Sequence, residues 1–315
     1  MNLLHVLACV VISAILLHIV CSSHGAIPLQ VIPIPLHQRN PSDDVIYFNH
    51  SVIDSYPPCI DRFPTFQHAR SFRMVLTHGD SLFIPSGWWH WVFSDEHCIA
   101  ISHVVHSHES EVVRMKQTGV TFKEPVVYSP THAIDFKMHI AESVPFVFKD
   151  PRLRAISNDV LAHELTGVHL LLSKTSTCNP VDKSDTPTMQ IVNATYHDFV
   201  QLRHSDYNAY IGMSPLSKRD FTPYLNRDWA AYVARTGRPN YVYLWQSHKP
   251  TETGLHYDIT DNMLTVHSGR KTVLLFPPSE TNYLYNAPLT NSRHAGYLRR
   301  FGEQKSPKLT PNGDK

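Results

Sequence analysis

Proline and glycine interrupt this chain at short intervals, and the stretches between them are short and rich in β-branched and aromatic residues. The clearest are FRMVLTHGDSLFIPSGWWHWVF, CIAISHVV, NYVYLWQ, TGLHYDITDNMLTVHSG and RKTVLLFPP. Proline removes a backbone donor and fixes φ, so it ends helices and inner strands alike. With 23 prolines and 12 glycines, the pattern predicts many short strands joined by turns. The expected fold class is mainly β, a sandwich or barrel with α-helices packed at its periphery. A chain of 315 residues has room for one large domain or two small ones.

Charge narrows the partners. The formal net charge is +1 and 17% of residues are charged, against roughly 25% in an average globular protein. No basic block stands out, which disfavours nucleic acid as a partner. Histidine is abundant at 22 residues, so a single histidine carries little weight. The five cysteines are Cys9, Cys21, Cys59, Cys98 and Cys178. Two fall in an apolar N-terminal stretch, and the rest make neither a disulfide framework nor a CxxC metal pair. P-loop, GxGxxG, GxSxG and HExxH motifs are absent.

Residues 3–21 form an apolar run broken only by His5, Ser13 and His18. About 20 apolar residues span a bilayer, whereas a signal peptide has a shorter apolar stretch followed by small residues. Ser22, Ser23, Gly25 and Ala26 are such residues. Residues 1–26 are therefore expected to be a signal peptide or a transmembrane anchor. The expected location is the secretory pathway (ER lumen or secreted) or a membrane surface. The sequons at Asn49 and Asn193 agree with a luminal body.

Residues 27–40 are proline-rich and extended, opening a β-rich block that runs to 108. A linker at 109–126 follows, with a short helix expected in SHESEVVRMKQ. A second block covers 127–290, with strands in SVPFVF, GVHLLLS and NAYIGM. Helices are expected from Asp150-Pro151 through DPRLRAISNDVLAHEL, from Thr195, and in part of DFTPYLNRDWAAYVART. A loop is expected at 176–190, and 291–315 is a polar tail.

In LHYDITDN, residues i and i+2 of a strand face one side. His256 and Asp258 then point together and Tyr257 points away. An imidazole beside a carboxylate supplies two members of a 2-His-1-carboxylate metal site. Alone, an HxD pair on a strand reads far more readily as two ordinary hydrogen-bonding residues.

The surroundings of this pair are more specific. HYDITDNMLTVHSGRKTVLLFPPSETNYLY resembles the metal-binding segment of the JmjC family, in its cupin-8 branch of Fe(II)- and 2-oxoglutarate-dependent hydroxylases. The match includes HxD, Asn262 four residues after the Asp, the Gly269-Arg270-Lys271 turn, LFPP and a Leu-Tyr. SVPFVFKDP, NAYIGM and the helix around Trp229 extend the resemblance over 125–290. It implies Fe(II) on His256 and Asp258, and Lys271 on the distal carboxylate of 2-oxoglutarate. Thr253 and Tyr210 match positions that bond the same carboxylate, and Asn262 lies near the cosubstrate. A lysine suits that place because its ammonium gives a charge-assisted contact to a carboxylate.

GDSLFIPSGWWHWV resembles the segment that supplies the third ligand in the same family, which implies His90 for that role. Ser102, on CIAISHVV, matches a position that often carries a polar cosubstrate contact. This second resemblance covers about 45–105. The order departs from the family: there the HxD half comes first, and here the WWH half leads. A circular permutation, a fragment of a tandem array and pairing of halves from two chains all remain open. A single intramolecular barrel is preferred, because each half brings what the other lacks.

The resemblance implies a double-stranded β-helix of cupin or jelly-roll type, permuted in sequence. It implies an Fe(II)/2-oxoglutarate-dependent dioxygenase, a hydroxylase acting on a protein or peptide side chain. The alternative is a catalytically inactive cupin-like domain serving binding or assembly in the secretory pathway. His103, His106 and His108 read as polar surface histidines. Trp88, Trp89 and Trp91 read as walls of the barrel mouth, with a ligand-stacking platform as the rival reading.

Overall fold

The computed structural model describes residues 50, 51, 53, 56–106, 123–129, 132–165, 167–173, 189–205 and 208–286. The first β-rich block yields β1 (Phe72–Leu76), β2 (Asp80–Ile84), β3 (Trp89–Ser94) and β4 (Cys98–Val105). Next come β5 (Val126–Tyr128), α1 (Phe136–Glu142), β6 (Phe146–Lys149), α2 (Asn158–Glu164), β7 (Val168–Ser173) and β8 (Met189–Ala194). The chain continues through α3 (Tyr196–Gln201), β9 (Asn208–Pro215), α4 (Lys218–Phe221) and α5 (Arg227–Thr236). The last strands are β10 (Asn240–Ser247), β11 (Thr251–Tyr257), β12 (Asp261–Ser268) and β13 (Lys271–Phe276).

The strands form two sheets, β1-β13-β3-β11 and β5-β6-β2-β12-β4-β10-β9-β7-β8. Strands from the two ends of the sequence alternate in both. β3 pairs with β11 and β13, and β12 lies between β2 and β4. Both β-rich blocks therefore build one mainly β, cupin-like two-sheet body.

Between the sheets lies an apolar core. It takes Val273 and Leu275 from the smaller sheet and Leu82, Ile84, Cys98, Ala100, Leu264 and Val266 from the larger. Helices cover the outer face of the larger sheet. Phe136 and Ile140 of α1 and Trp229 and Val233 of α5 pack on Phe83, Val105 and Met263. Leu161 of α2 and Tyr196 and Phe199 of α3 pack with Ile99, Ile101, Val242 and Leu244. β4 is thus buried at every residue, which explains why CIAISHVV is apolar on both faces, broken only by Ser102 and His103, instead of alternating.

Turn chemistry sets the strand order locally. Gly87, between β2 and β3, has φ +82°, a conformation that L side chains rarely adopt. Gly269, between β12 and β13, has φ +74°, and a Cβ there would sit 2.0 Å from the His97 carbonyl oxygen. Only glycine fits at this crossing.

The structure corrects three expectations. Asp150-Pro151 opens a turn, not a helix: the Asp150 carboxylate accepts from the Arg152 backbone N–H at 2.9 Å and its Nε at 3.0 Å. With that carboxylate committed to a turn, the helix waits for Ser157, whose hydroxyl caps α2 by accepting from Val160 N–H. His103 is buried at 5% exposure, with Nε2 3.2 Å from Asn240 Oδ1, so it is not a surface histidine. Trp89 and Trp91 belong to the core on the outer face of the smaller sheet, with Leu255, Tyr257, Leu274 and Phe276. Trp88 lies in the inter-sheet core, its indole N–H donating to Ser143 O at 2.9 Å. None of the three lines a mouth or offers a stacking face.

Thr195 behaves as read, closing a capping box with Asp198 at the start of α3. Residues 1–26, the 27–40 stretch, Asn49, the 107–117 helix, residues 176–188 of the expected 176–190 loop and the 291–315 tail lie outside the described residues, while Met189 and Gln190, expected in that loop, open β8. Among those described, no helix is long and apolar enough to cross a membrane.

Candidate metal centre

The site grows out of the strand pleat. On β3, Trp89, Trp91 and Phe93 enter the outer core, so His90, Val92 and Ser94 face the other sheet. The ladder puts His90 opposite His256 on β11 and opposite Leu275 on β13. On β11, Leu255 and Tyr257 enter the outer core, turning His256 inward, with Asp258 following on the same side. A β-bulge between Thr253 and His256 inserts one residue into β11. It lets Thr253 and His256, three apart in sequence, both face inward.

Three side chains meet there. Ligand atoms of His90, His256 and Asp258 all lie within 4.8 Å of one another. His90 Nε2 is 3.7 Å from Asp258 Oδ2 and His256 Nε2 is 4.0 Å from Oδ1. These separations are too long for hydrogen bonds. They leave room for an ion between the donors, since bonds of about 2 Å put adjacent ligands about 3 Å apart and opposite ones about 4 Å apart.

Each imidazole is oriented by its own strand. His90 Nδ1 is 3.0 Å from Trp88 O and His256 Nδ1 is 2.7 Å from Gly254 O. A carbonyl can only accept, so both Nδ1 atoms carry the proton and both Nε2 lone pairs face the cluster. Burial and the neighbouring His256 push the His90 pKa down to about 4, against the opposing pull of Asp258. His90 is therefore neutral near pH 7, the form that ligates. The His50 ring stacks on His256 at 5.3 Å, flanking it from outside the cluster.

A second polar group occupies the same inner face. Ser94 stands opposite both Lys271 and Thr251, four residues along β3 from His90 and so about 13 Å away along the strand. Lys271 is 1% exposed. Its ammonium donates to Ser94 Oγ at 2.7 Å and sits 5.8 Å from the centre of the Tyr210 ring. Tyr210 Oη and Thr253 Oγ1 are 3.4 Å apart. Among the described residues no carboxylate lies within ion-pair distance of Lys271, although buried ammonium groups are normally paired. Thr251 Oγ1 is buried without a hydrogen-bond partner.

The remaining two candidates lie on the inner face of the larger sheet. Asn262 is opposite Val104, and Leu264 is opposite Ser102. Asn262 Oδ1 is buried and unpartnered, whereas Ser102 Oγ accepts from the Trp245 indole at 3.0 Å. The structure thus gathers His90, His256 and Asp258 in one cluster and Lys271, Tyr210 and Thr253 in another. Among the described residues, neither Asn262 nor Ser102 hydrogen-bonds to a member of either group.

Ser94, Thr251 and Tyr243 were not anticipated. Ser94 shares the period-2 face of His90, so the sequence carried that signal. Tyr243 pairs with Ser102 across the ladder. Burial, then Tyr241 and Asp258, raise its phenol pKa, which keeps its proton in place beside the cluster. Nothing in NYVYLWQ distinguishes Tyr243 from its neighbour before the strands are paired.

Comparison with known proteins gives one family and two relatives. A family profile described as "Cupin-like domain" matches residues 24–107 and 136–301. A JmjC domain-containing protein of Acanthamoeba polyphaga mimivirus is 23% identical over 235 residues, 72% of this chain and 37% of that protein. HSPB1-associated protein 1 of Rattus norvegicus is 35% identical over 68 residues, 21% of this chain and 14% of that protein. The chain thus spans well under two thirds of either relative. No solved structure gives a significant match.

Proposed function

The chain belongs to the cupin-like domain family, and on that premise we propose that it is an Fe(II)- and 2-oxoglutarate-dependent oxygenase that hydroxylates a polypeptide side chain. The observation that carries this reading is the His90–His256–Asp258 cluster with Lys271 buried on the same sheet face. Two imidazoles and one carboxylate are the donor set of a facial triad, which leaves coordination positions for other ligands. The buried ammonium of Lys271 and the unpartnered Thr251 hydroxyl fit the distal carboxylate of a dicarboxylic acid. When bound, Fe(II) with 2-oxoglutarate and O₂ supplies C–H hydroxylation, with succinate and CO₂ as co-products.

The chain's own residues do the rest. Trp88 O and Gly254 O fix the imidazole tautomers, and the bulge in β11 aims His256 and Thr253 inward together. Lys271 holds a carboxylate by charge and Tyr210 and Thr253 by hydrogen bonds. The inter-sheet core behind Leu275 and Val273 excludes water. We read the swapped order of the two blocks as a circular permutation of the family's domain. The protein substrate and the secretory or membrane-anchored location belong to the same proposal.

The test is conversion of 2-oxoglutarate to succinate by purified protein with added Fe(II), beside Asp258→Ala. Turnover by the wild type that Asp258→Ala abolishes is expected. Equal, background-level succinate from both proteins overturns the oxygenase reading and leaves a binding domain.

A further inference from the structure

On the outside of the larger sheet, α1 and α5 leave an open groove of about 700 Å³. Ile134, Phe136, Ile140 and Tyr232 line it with apolar surface. Lys137, Arg235 and Arg238 also line it, the first two exposed and Arg238 half-buried. Among the described residues none of these three cations has a carboxylate within ion-pair distance. The single carboxylate of the lining, Asp135, is already used: its Oδ1 accepts from Met138 N–H at 3.1 Å as the cap of α1.

Helix electrostatics account for only part of this charge. Arg235 lies in the last turn of α5, where the macrodipole favours a cation. Lys137 lies in the first turn of α1, where the macrodipole opposes one. Arg238 lies beyond the end of α5. What the three share is the groove, not a helix end.

The groove adjoins the end of the larger sheet where β12 begins at Asp261, three residues after Asp258. Arg238 precedes β10 by two residues, and Asn240, Val105 and Asp261 form the terminal row across β10, β4 and β12. The next row is Tyr241, Val104 and Asn262, and two rows beyond it stand Tyr243, Ser102 and Leu264. The Tyr241 and Tyr243 rings stack at 6.4 Å on the inner face of β10, opposite Val242 and Leu244, and Tyr243 feels the Asp258 charge. Tyr232, in the groove, feels both Arg238 and Asp261.

We propose that this groove docks an acidic stretch of the polypeptide substrate, with apolar side chains seated between α1 and α5 and carboxylates on Lys137, Arg235 and Arg238. The inference rests on the oxygenase reading for the word substrate, and on the groove alone for the chemistry of the occupant. Apolar floor and cationic rim together select glutamate- or aspartate-rich segments that carry leucine or an aromatic residue.

The probe is a short fluorescein-labelled peptide of glutamates interrupted by leucines, followed by fluorescence anisotropy with the full chain. Binding that weakens with added salt is expected. Combined Arg235→Glu and Arg238→Glu should lower the affinity at least about tenfold, the factor of one lost charge-assisted contact. Arg235→Gln with Arg238→Gln should give a smaller loss, and circular dichroism checks that both variants fold. Three outcomes overturn the proposal: no binding to folded wild type, equal binding to the reversed variant, or equal binding of a peptide with glutamine for glutamate. A fourth is a single-stranded RNA that displaces the peptide and binds more tightly.

Cobalt(II) binding, read by absorbance, separates this inference from the one it builds on. Asp258→Ala should lose cobalt and keep the peptide. Cobalt binding without peptide binding sinks the groove alone, and peptide binding without cobalt sinks the oxygenase reading alone.

Discussion

His90 and His256 lie opposite one another on the β3–β11 ladder, with ring centroids 4.2 Å apart. Each ring donates from Nδ1 to a carbonyl of its own strand, so neither needs the other to hold its orientation. The pair is preorganised by the backbone, and Asp258 completes it.

Loss of one donor should therefore cost the ion while sparing the fold. In Asp258→Ala and His256→Ala, cobalt(II) affinity is expected to fall by more than the roughly 10–100-fold seen when only a ligand's outer partner is removed. Thermal unfolding without metal should stay near wild type. Retained cobalt binding in both variants is the contrary result.

Lys271→Met should separate binding from stability. The methionine keeps most of the volume and removes a buried charge, a change often neutral or stabilising. Calorimetric titration should show 2-oxoglutarate affinity reduced about tenfold or more, from a lost contact worth roughly 1.5–3 kcal/mol. Unfolding in urea should show no loss of stability. Unchanged 2-oxoglutarate affinity would place Lys271 among purely structural residues.

Leu275→Ala tests the wall behind the cluster. Leu275 has no exposed surface and stands opposite His90 between the sheets. Truncation should cost about 2–5 kcal/mol through lost transfer energy and a cavity, measured by urea denaturation. A cost below about 1 kcal/mol would mean that the core collapses around the gap.

Acid should weaken the fold through His267. It is 2% exposed, and burial pushes its pKa down to about 4 from about 6.5 in the unfolded chain. The unfolded state then binds the extra proton between those values, so stability is full above about pH 6.5 and falls as pH drops towards 4. At about 1.4 kcal/mol per unit, the complete loss is about 3 kcal/mol. Urea melts across pH 7.5 to 4.5 should show a shallower fall in His267→Gln than in wild type, and parallel curves would refute the assignment.

Much of this was legible before any strand was paired. HxD on a strand, Trp-Trp-His after Ile-Pro, and the Gly269-Arg270-Lys271 turn each announced a local geometry that the structure keeps. The failures were tertiary. Asp150 carries a good helix-start signal, yet its carboxylate is used by Arg152 and approached by Asn226 Nδ2 at 3.4 Å, a partner remote in sequence. His103 looked solvated in HVVHSH, and only the helix laid over it, with Trp229 donating to its carbonyl at 3.2 Å, made it interior. The tryptophans cluster in sequence around His90, although the pleat sends Trp89 and Trp91 to the face opposite it.

By itself the sequence determined which side chains could ligate, which face of each strand they share, and where glycine must turn the chain. Those properties depend on residues two to four positions apart, and the period of a strand or the φ of a turn settles them. The tertiary structure decided that His90 meets His256 and that Ser94 meets Lys271. It also decided that the two blocks, in whichever order the chain presents them, interleave in one pair of sheets. Such pairings are set by register between strands far apart in sequence, where a slip of one residue would turn every ligand outward.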